Sequence, residues 1–180
     1  MKEKILGFDV SSSCIGYAVL EIEDNNIKFI SCNYIKLIKK GSIIERLADT
    51  RDKIKNIIEE VKPDYIGIED IVQFMAGGST AKTIIILSSY NRMAGLTSMD
   101  YLRKPPELFS VMTIRHSLKL TKVLPKKEEV LGLVEKHLGI IFPRVYKKGK
   151  EIKENYDMSD AVAVALHYAF KLTGRLKKKK

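Results

Sequence analysis

Acidic residues stand at the ends of apolar segments in this chain. Asp9 closes the run "ILGFD", and Glu69 closes "YIGIE" with Asp70 directly behind it. Asp157 and Asp160 open the run "DMSDAVAVALHY", and residues three apart lie on one face of a helix. If the two strands are neighbours and the helix packs across them, four carboxylates converge. They belong to Asp9, Glu69, Asp157 and Asp160, hereafter the four acids.

Four carboxylates in one place repel one another unless cations neutralise them. Hard oxygen ligands favour Mg²⁺ or Mn²⁺. Two such ions about 4 Å apart can activate a water molecule and stabilise the leaving oxygen of a phosphodiester. The four acids therefore predict a metal site for phosphodiester hydrolysis, with two Mg²⁺ ions expected per site and Mn²⁺ as the alternative.

Each acid taken alone also has a structural interpretation. Asp157 could be the N-cap of the last helix, with Asp160 favourable to the helix dipole. Asp9 could cap the serine turn that follows it, and Glu69 could be a surface charge at a strand end. Asp70 is the weaker candidate, because strand alternation sends it to the face opposite Glu69. The agreement of three separate elements favours the functional interpretation.

The charge balance points to a polyanionic partner. The 180 residues carry a formal net charge of +10, of which the four C-terminal lysines are only a part. Nucleic acid is the simplest partner for such a chain. No apolar run is long enough to cross a bilayer, and no secretory signal opens the chain. Cys14 and Cys32 lack metal-site spacing, so a reduced, cytoplasmic protein without membrane contact is expected.

Apolar periodicity and turn residues predict the elements that position the four acids. Strands are expected at 5–10, 16–22, about 27–38, 65–68 and 108–112. Helices are expected from a capping box at Ser42 to Pro63, and at 80–102, 126–138 and 157–172; loops are expected at 73–79 and 144–155. This order predicts an α/β fold with a five-stranded mixed sheet and helices on both faces. One domain is expected over 1–174, with a basic tail at 175–180.

The same residues carry a resemblance to a known family. The strand ending in Asp9 with Gly16 after it, "IGIED", "FMAGG" and "DMSDAVAVALHY" resemble RuvC-type Holliday junction resolvases of the RNase H-like superfamily. The resemblance covers nearly the whole chain in the right order, and its most specific part is the last motif. It implies an RNase H-like fold, and a homodimer formed largely through the helix that begins near Thr80.

Carried over position by position, the four acids match the metal-binding acids of the family. Phe74 resembles an aromatic residue that stacks on unpaired bases at the junction. Arg115 and Lys127 resemble basic residues that lie near phosphates. Three departures accompany the likeness: Val10-Ser11 follows the first acid, two residues are inserted before Phe74, and the loop at 144–155 is longer and more basic. They indicate a divergent branch, such as a phage or viral enzyme in the host cytoplasm.

The resemblance implies a Mg²⁺-dependent endonuclease that resolves four-way DNA junctions by paired symmetric nicks, leaving 5′-phosphates. An RNase H-like nuclease acting on other branched DNA or on RNA–DNA hybrids is one alternative. A junction-binding protein without catalysis is another, although a binder of a polyanion gains nothing from a negative pocket. The run "DVSSSCIGYAVLE" also resembles the phosphate-binding turn of sugar kinases and actin-like ATPases, which have two such lobes and need a longer chain.

Two aromatic side chains have competing interpretations. Phe74 stands beside Gly77 and Gly78, so it could hold an unpaired base, or it could fold back onto the core. His167 stands seven residues after Asp160 and could approach the metal site, but a packed histidine is the expected arrangement.

Overall fold

The computed structural model describes residues 2–71 and 80–176. The loop predicted at 73–79, which contains Phe74, lies outside the described residues, and so do the last four lysines. None of the described helices is both long and apolar enough to cross a membrane.

Five strands form the main sheet, as predicted. They are β1 (Lys2–Val10), β2 (Cys14–Glu23), β3 (Asn26–Lys36), β4 (Tyr65–Glu69) and β5 (Glu107–Phe109), in the order β3-β2-β1-β4-β5. The first three strands pair antiparallel, whereas β4 and β5 add to β1 in parallel. The sheet is therefore mixed. Tight turns can join the antiparallel neighbours, whereas each parallel strand is reached through a long crossover.

Helices cover both faces of the sheet. They are α1 (Ile43–Val61), α2 (Ala81–Leu102), α3 (Val111–Leu118), α4 (Val130–Leu138) and α5 (Glu154–Leu172), and a 3₁₀ turn at Lys127–Glu129 precedes α4. The capping box predicted at Ser42 is present: the Ser42 hydroxyl accepts from the Glu45 N–H, and the Glu45 carboxylate accepts from the Ser42 N–H. These two hydrogen bonds give partners to backbone N–H groups that lack one at the start of a helix, and they fix the start of α1.

Alternation along the strands divides the apolar residues between two cores. Leu6 and Phe8 of β1 face α1 and α2, where they pack with Ile54 and Tyr90. Ile5 faces the other way, toward α3, α4 and α5. Alternation also places Asp9 on the α5 face, because it is two residues beyond Gly7 and four beyond Ile5. Nearly all of α5 is buried, which explains its alanine-rich composition.

Three predicted boundaries were wrong. The strand expected at 108–112 ends at Phe109, because Ser110 caps a helix that sequence analysis missed and accepts from the Thr113 N–H at 3.2 Å. The helix expected at 126–138 begins as a 3₁₀ turn. The loop expected at 144–155 holds a hairpin of β6 (Tyr146–Lys147) and β7 (Lys150–Glu151), followed by the start of α5.

The early start of α5 changes the interpretation of Asp157. The helix begins at Glu154, with Lys153 as its N-cap residue, so Asp157 is not an N-cap. Its carboxylate is therefore free for other contacts, although it still lies in the first turn.

Glycines let α5 approach the sheet closely. A Cβ on Gly7 would lie 2.5 Å from the Ala161 carbonyl oxygen, and a Cβ on Gly16 would lie 2.0 Å from the Asp157 carbonyl oxygen. Real Cβ atoms do not tolerate such distances from backbone atoms, so only glycine permits the observed packing. The position of the first two turns of α5 therefore depends on these two residues.

Replacing Gly16 by alanine is expected to destabilise the fold by about 1–3 kcal/mol, because the new methyl group must push α5 away from β2. The matched control is Gly132→Ala in α4, where a Cβ meets nothing within 4 Å. That change should stabilise the protein by up to about 1 kcal/mol, as alanine usually does within a helix. Urea unfolding of both variants measures the difference; equal effects would contradict the packing argument.

Candidate active site

Two of the four acids come from neighbouring parallel strands. β1 and β4 pair in parallel with Phe8 opposite Ile68, so Asp9 and Glu69 follow one step further along the two strands. Phe8 and Ile68 both pack in the core beneath α1 and α2. Alternation then turns Asp9 and Glu69 toward α5. Both acids lie where the strands approach their carboxyl ends, the usual edge for ligand sites in such sheets.

The other two acids come from the start of α5. Asp157 lies in its first turn, and Asp160 follows three residues later on the same side. The register of β1 with β2 makes Asp9 the partner of Gly16, and Gly16 is the residue that faces the Asp157 backbone. This arrangement brings Asp157 beside Asp9. The structure therefore contains the arrangement that convergence of the four acids requires: the two strands are neighbours, and the helix packs across them.

Burial raises the pKa of all four acids, and repulsion from others of the four adds to this for Asp9, Glu69 and Asp160. Asp9 is 7% exposed, and its pKa is raised by burial and then by the charges of Glu69, Asp160 and Asp157. Burial, followed by the Asp160 charge, raises the pKa of Glu69 to about 7. Burial raises the pKa of Asp160 to about 6, and it also raises that of Asp157. The four carboxylates therefore share one pocket of negative potential.

The donor chemistry of this pocket fits a hard divalent cation. Carboxylate oxygens are the ligands that Mg²⁺ and Mn²⁺ prefer, and a bound cation would remove the repulsion among the acids. Among residues 2–71 and 80–176, no group of three or more His, Cys, Asp or Glu side chains is already arranged as a set of metal ligands. The acids thus share a pocket without forming a closed cage around an ion.

Two basic side chains border the pocket. The Lys127 ammonium lies 3.5 Å from an Asp160 carboxylate oxygen. Burial lowers the pKa of Lys127, but the charges of Asp160, Asp9 and Asp157 outweigh it and raise the pKa overall. Arg115 on α3 is close enough for its charge to lower the pKa of Glu69 and Asp160. Both residues singled out by the sequence resemblance thus lie beside the four acids.

Asp70 lies apart from the pocket, as alternation predicted. Its carboxylate is 3.3 Å from the Arg92 guanidinium on α2, on the other face of the sheet. Asp70 and Glu69 therefore form a natural pair for comparison, because they are adjacent in sequence and face different environments.

Two polar residues that support the pocket were not found by sequence reasoning. The Cys14 thiol forms a hydrogen bond with the Asp157 carboxylate, which lowers the pKa of Asp157 against the effect of burial. The Asn91 side-chain amide donates to the Glu69 carbonyl oxygen at 2.8 Å and is almost fully buried. The available signal for Asn91 was a polar residue inside the apolar pattern of α2. Cys14 had a weaker signal, its place two residues before Gly16 on the same face of β2.

His167 lies away from the four acids. Its ring packs edge-on against Phe109, with centroids 4.6 Å apart, and it is 3% exposed. Burial, then the charge of Lys171, lowers the pKa of His167 to about 4. The expected packed histidine is what the structure contains. Phe74, by contrast, lies outside the described residues.

Comparison with known proteins agrees with this geometry. The family model described as crossover junction endodeoxyribonuclease RuvC matches residues 5–168. A relative of that description from Campylobacter curvus is 31% identical over 167 residues, covering 92% of this chain and 96% of the relative. One from Ehrlichia ruminantium (strain Gardel) is 28% identical over 176 residues, covering 93% of this chain and 97% of the relative.

Solved structures show the same fold. T. thermophilus RuvC in complex with Holliday junction substrate superposes with a TM-score of 0.70 at 16% identity, covering 96% of each chain. The yeast mitochondrial Holliday junction resolvase gives a TM-score of 0.66 at 14% identity, covering 96% of this chain and 79% of that one. These likenesses confirm the RNase H-like fold predicted from the sequence.

The family model spans most of the chain, from β1 through α5, and includes all of the four acids. Nucleases of this family depend on metal ions, which agrees with the donor chemistry of the pocket. The chain belongs to the RuvC family of crossover junction endodeoxyribonucleases.

Proposed function

We propose that this protein is a Mg²⁺-dependent endonuclease that resolves four-way DNA junctions by paired, symmetric nicks. The observation that carries the proposal is the buried pocket of the four acids, bordered by two basic side chains, at the ends of parallel strands. A negative pocket inside a protein of net charge +10 serves a binder of DNA only if cations occupy it. Family membership supplies the substrate class.

The four acids are the residues that would hold the cations, two per site. The chemistry supplied by bound cations is activation of a water for in-line attack on phosphorus and stabilisation of the leaving 3′-oxygen, giving a 5′-phosphate and a 3′-hydroxyl. Asp9 and Glu69 are mounted on paired strands, and Asp157 and Asp160 on a helix packed against those strands. Such rigid mounts hold ligands in place better than loops do.

The two basic side chains have a separate task. Lys127 and Arg115 would bind the oxygens of the scissile phosphate and its neighbour at the rim of the pocket. Lys127 already contacts Asp160, so its ammonium can neutralise part of the pocket while it meets the substrate. Phe74 would stack on an unpaired base at the junction; this role rests on the sequence alone.

Symmetric cleavage needs two sites related by a two-fold axis, which a homodimer supplies. Helix α2 supports this proposal, because it exposes large apolar side chains along its length. Ile85 is 65% exposed, Leu96 60% and Met99 40%. We take residues 1–174 as one nuclease domain, with the tail at 175–180 as additional positive charge near DNA.

The substrate class is tested with end-labelled four-way junction, Y-fork, RNA–DNA hybrid and linear duplex, each incubated with Mg²⁺ or with EDTA. Paired nicks at symmetric positions in the four-way junction, present with Mg²⁺ and absent with EDTA, are expected. Preferential cleavage of the fork or hybrid would retain the metal site but replace the proposed substrate. Tight junction binding without any cleavage would identify a binding protein instead.

The metal-binding role is tested by substitutions within the pocket and at Asp70, which is adjacent to Glu69 in sequence but lies outside the pocket. Glu69→Gln and Asp9→Asn should each abolish junction cleavage, with a loss of several orders of magnitude, while junction binding in EDTA is retained. Asp70→Asn is the matched control, because Asp70 pairs with Arg92 on the opposite face and should leave the cleavage rate unchanged. Single-turnover cleavage and gel-shift binding measure the two properties. Normal cleavage by Glu69→Gln would contradict the site.

The stability of the metal-free protein should depend on pH through Glu69. Its pKa of about 7 in the folded protein lies above the usual value, so folding is less stable once this buried carboxyl ionises. The stability present at pH 5 is therefore lost as the pH rises through 7. In EDTA, Glu69→Gln should match the wild type at pH 5 and melt at a higher temperature at pH 8.

Added Mg²⁺ at pH 8 should raise the melting temperature of the wild type more than that of Glu69→Gln, because a bound cation removes the repulsion that the substitution has already reduced. Asp70→Asn should follow the wild type in all conditions. A wild type that gains no stability from Mg²⁺ or Mn²⁺ would argue against cation binding in this pocket.

A further inference from the structure

A hairpin projects from the protein just before α5. Its strands, β6 and β7, are joined by Lys148 and Gly149, both with positive φ (51° and 74°), as in a tight two-residue turn. All four strand residues are exposed, and Tyr146 is 59% exposed. The hairpin adds no strand to the main sheet and contributes no residue to either apolar core. Its presence therefore calls for a role other than folding.

The base of the hairpin is nevertheless held firmly. The Asn155 side chain accepts from the Val145 N–H at 3.0 Å and donates to the Val145 carbonyl oxygen at 3.1 Å. It also donates to the Glu151 carboxylate at 3.0 Å. Asn155 is fully buried in the first turn of α5. One amide therefore ties both strands of the hairpin to the helix that carries two of the four acids.

This attachment places the base of the hairpin at the same end of α5 as the active-site pocket. Asn155 stands two residues before Asp157, which is less than one helical turn. Glu154, the first residue of α5, is close enough to Cys14 for its charge to raise the pKa of that thiol, together with Asp157. The hairpin base and the pocket thus share the N-terminal end of α5.

The charges on the hairpin are largely uncompensated. Residues 144–153 contain five basic residues and one acidic residue. That acid, Glu151, is already engaged by Arg144 and Asn155. In the described part of the chain, no acidic side chain forms an ion pair with Lys147, Lys148 or Lys150. Three ammonium groups within four residues, on a rigid support, form a positive surface that no acidic side chain of residues 2–71 and 80–176 neutralises by an ion pair.

We propose that this hairpin is a second DNA-binding element, which holds the phosphate backbone of one duplex arm of the junction outside the cleavage pocket. Lys147, Lys148 and Lys150 bind phosphates, and the Asn155 anchor fixes their distance from the four acids. The inference rests on the proposed function, since it assigns a further contact with the same substrate. The expected contacts are with phosphates, so they carry no sequence preference.

The test is the triple variant Lys147→Gln, Lys148→Gln, Lys150→Gln, which keeps side-chain length and removes three charges from exposed positions. The control replaces Lys53, Lys55 and Lys62 by glutamine on and just after α1, which packs on the opposite face of the sheet from α5. Unlike the hairpin lysines, Lys53 and Lys55 form ion pairs, with Asp49 and Glu59 of the same helix. Lys62, like Lys148, has a positive φ, so both variants place one glutamine in a left-handed backbone conformation.

Junction binding is measured in Ca²⁺ or EDTA over a range of salt concentrations, and cleavage in single turnover with Mg²⁺ at saturating protein. The hairpin variant should bind about tenfold or more weakly at low salt, and the slope of log K against log salt should fall by about two to three. Its cleavage rate at saturation should equal that of the wild type, because the four acids are untouched. The control should retain the wild-type affinity and slope.

Unchanged affinity and slope in the hairpin variant would overturn this inference, and so would an equal loss in the control. Both results leave the proposed function standing if the wild type cleaves junctions. A wild type that neither binds nor cuts four-way junctions would instead overturn the proposed function, and the hairpin assignment with it. Hydroxyl-radical footprinting locates the contact: the hairpin variant should lose protection on one arm for each subunit, that is on two arms related by the two-fold axis, away from the nicks.

Discussion

The close packing of α5 against the sheet is the constraint on which the site depends. Two of the four acids are on strands and two are on this helix, so the pocket exists only if helix and sheet nearly touch. Gly7 and Gly16 provide that distance, because any side chain at either position would collide with the α5 backbone. The alanines of α5 serve the same purpose from the other side. The small residues at this contact look like ordinary core residues, but the active-site pocket requires them.

The same packing creates an electrostatic problem. It buries four carboxylates together, and burial disfavours the ionised form of each. Three features reduce the cost in the free protein: the start of α5 offers the positive end of its dipole, the Lys127 ammonium contacts Asp160, and the Cys14 thiol hydrogen-bonds to Asp157. These contributions do not bring the pKa values back to normal. The remaining repulsion is what a divalent cation would remove.

Much of this arrangement could be predicted from the sequence. The strand ends at Asp9 and Glu69 are marked by apolar runs, and strand alternation correctly separated Glu69 from Asp70. The capping box at Ser42 was predicted because its signal is local. The errors came from longer-range effects. Helix α3 was missed because β5 is only three residues long and the apolar run continues through its cap at Ser110.

The start of α5 was misplaced for a related reason. Glu154 and Asn155 are polar, so they looked like loop residues, yet both are buried by contacts with distant parts of the chain. The Asn155 contact with Val145 depends on a hairpin that no local pattern announced. The fold class and the candidate acids were therefore accessible from periodicity and motif, whereas the supporting polar contacts required three-dimensional information.

The end of β4 links the helices on the two faces of the sheet. Glu69 points toward α5 and the pocket, while its carbonyl oxygen accepts from the buried side chain of Asn91 of α2. Helix α2, with its exposed apolar residues, is the proposed dimer surface. The strand that holds one of the acids is thus tied directly to the helix that would set the two-fold axis. Because buried hydrogen bonds resist displacement, this link would fix the distance between the two active sites of a dimer, and paired symmetric nicks depend on that distance.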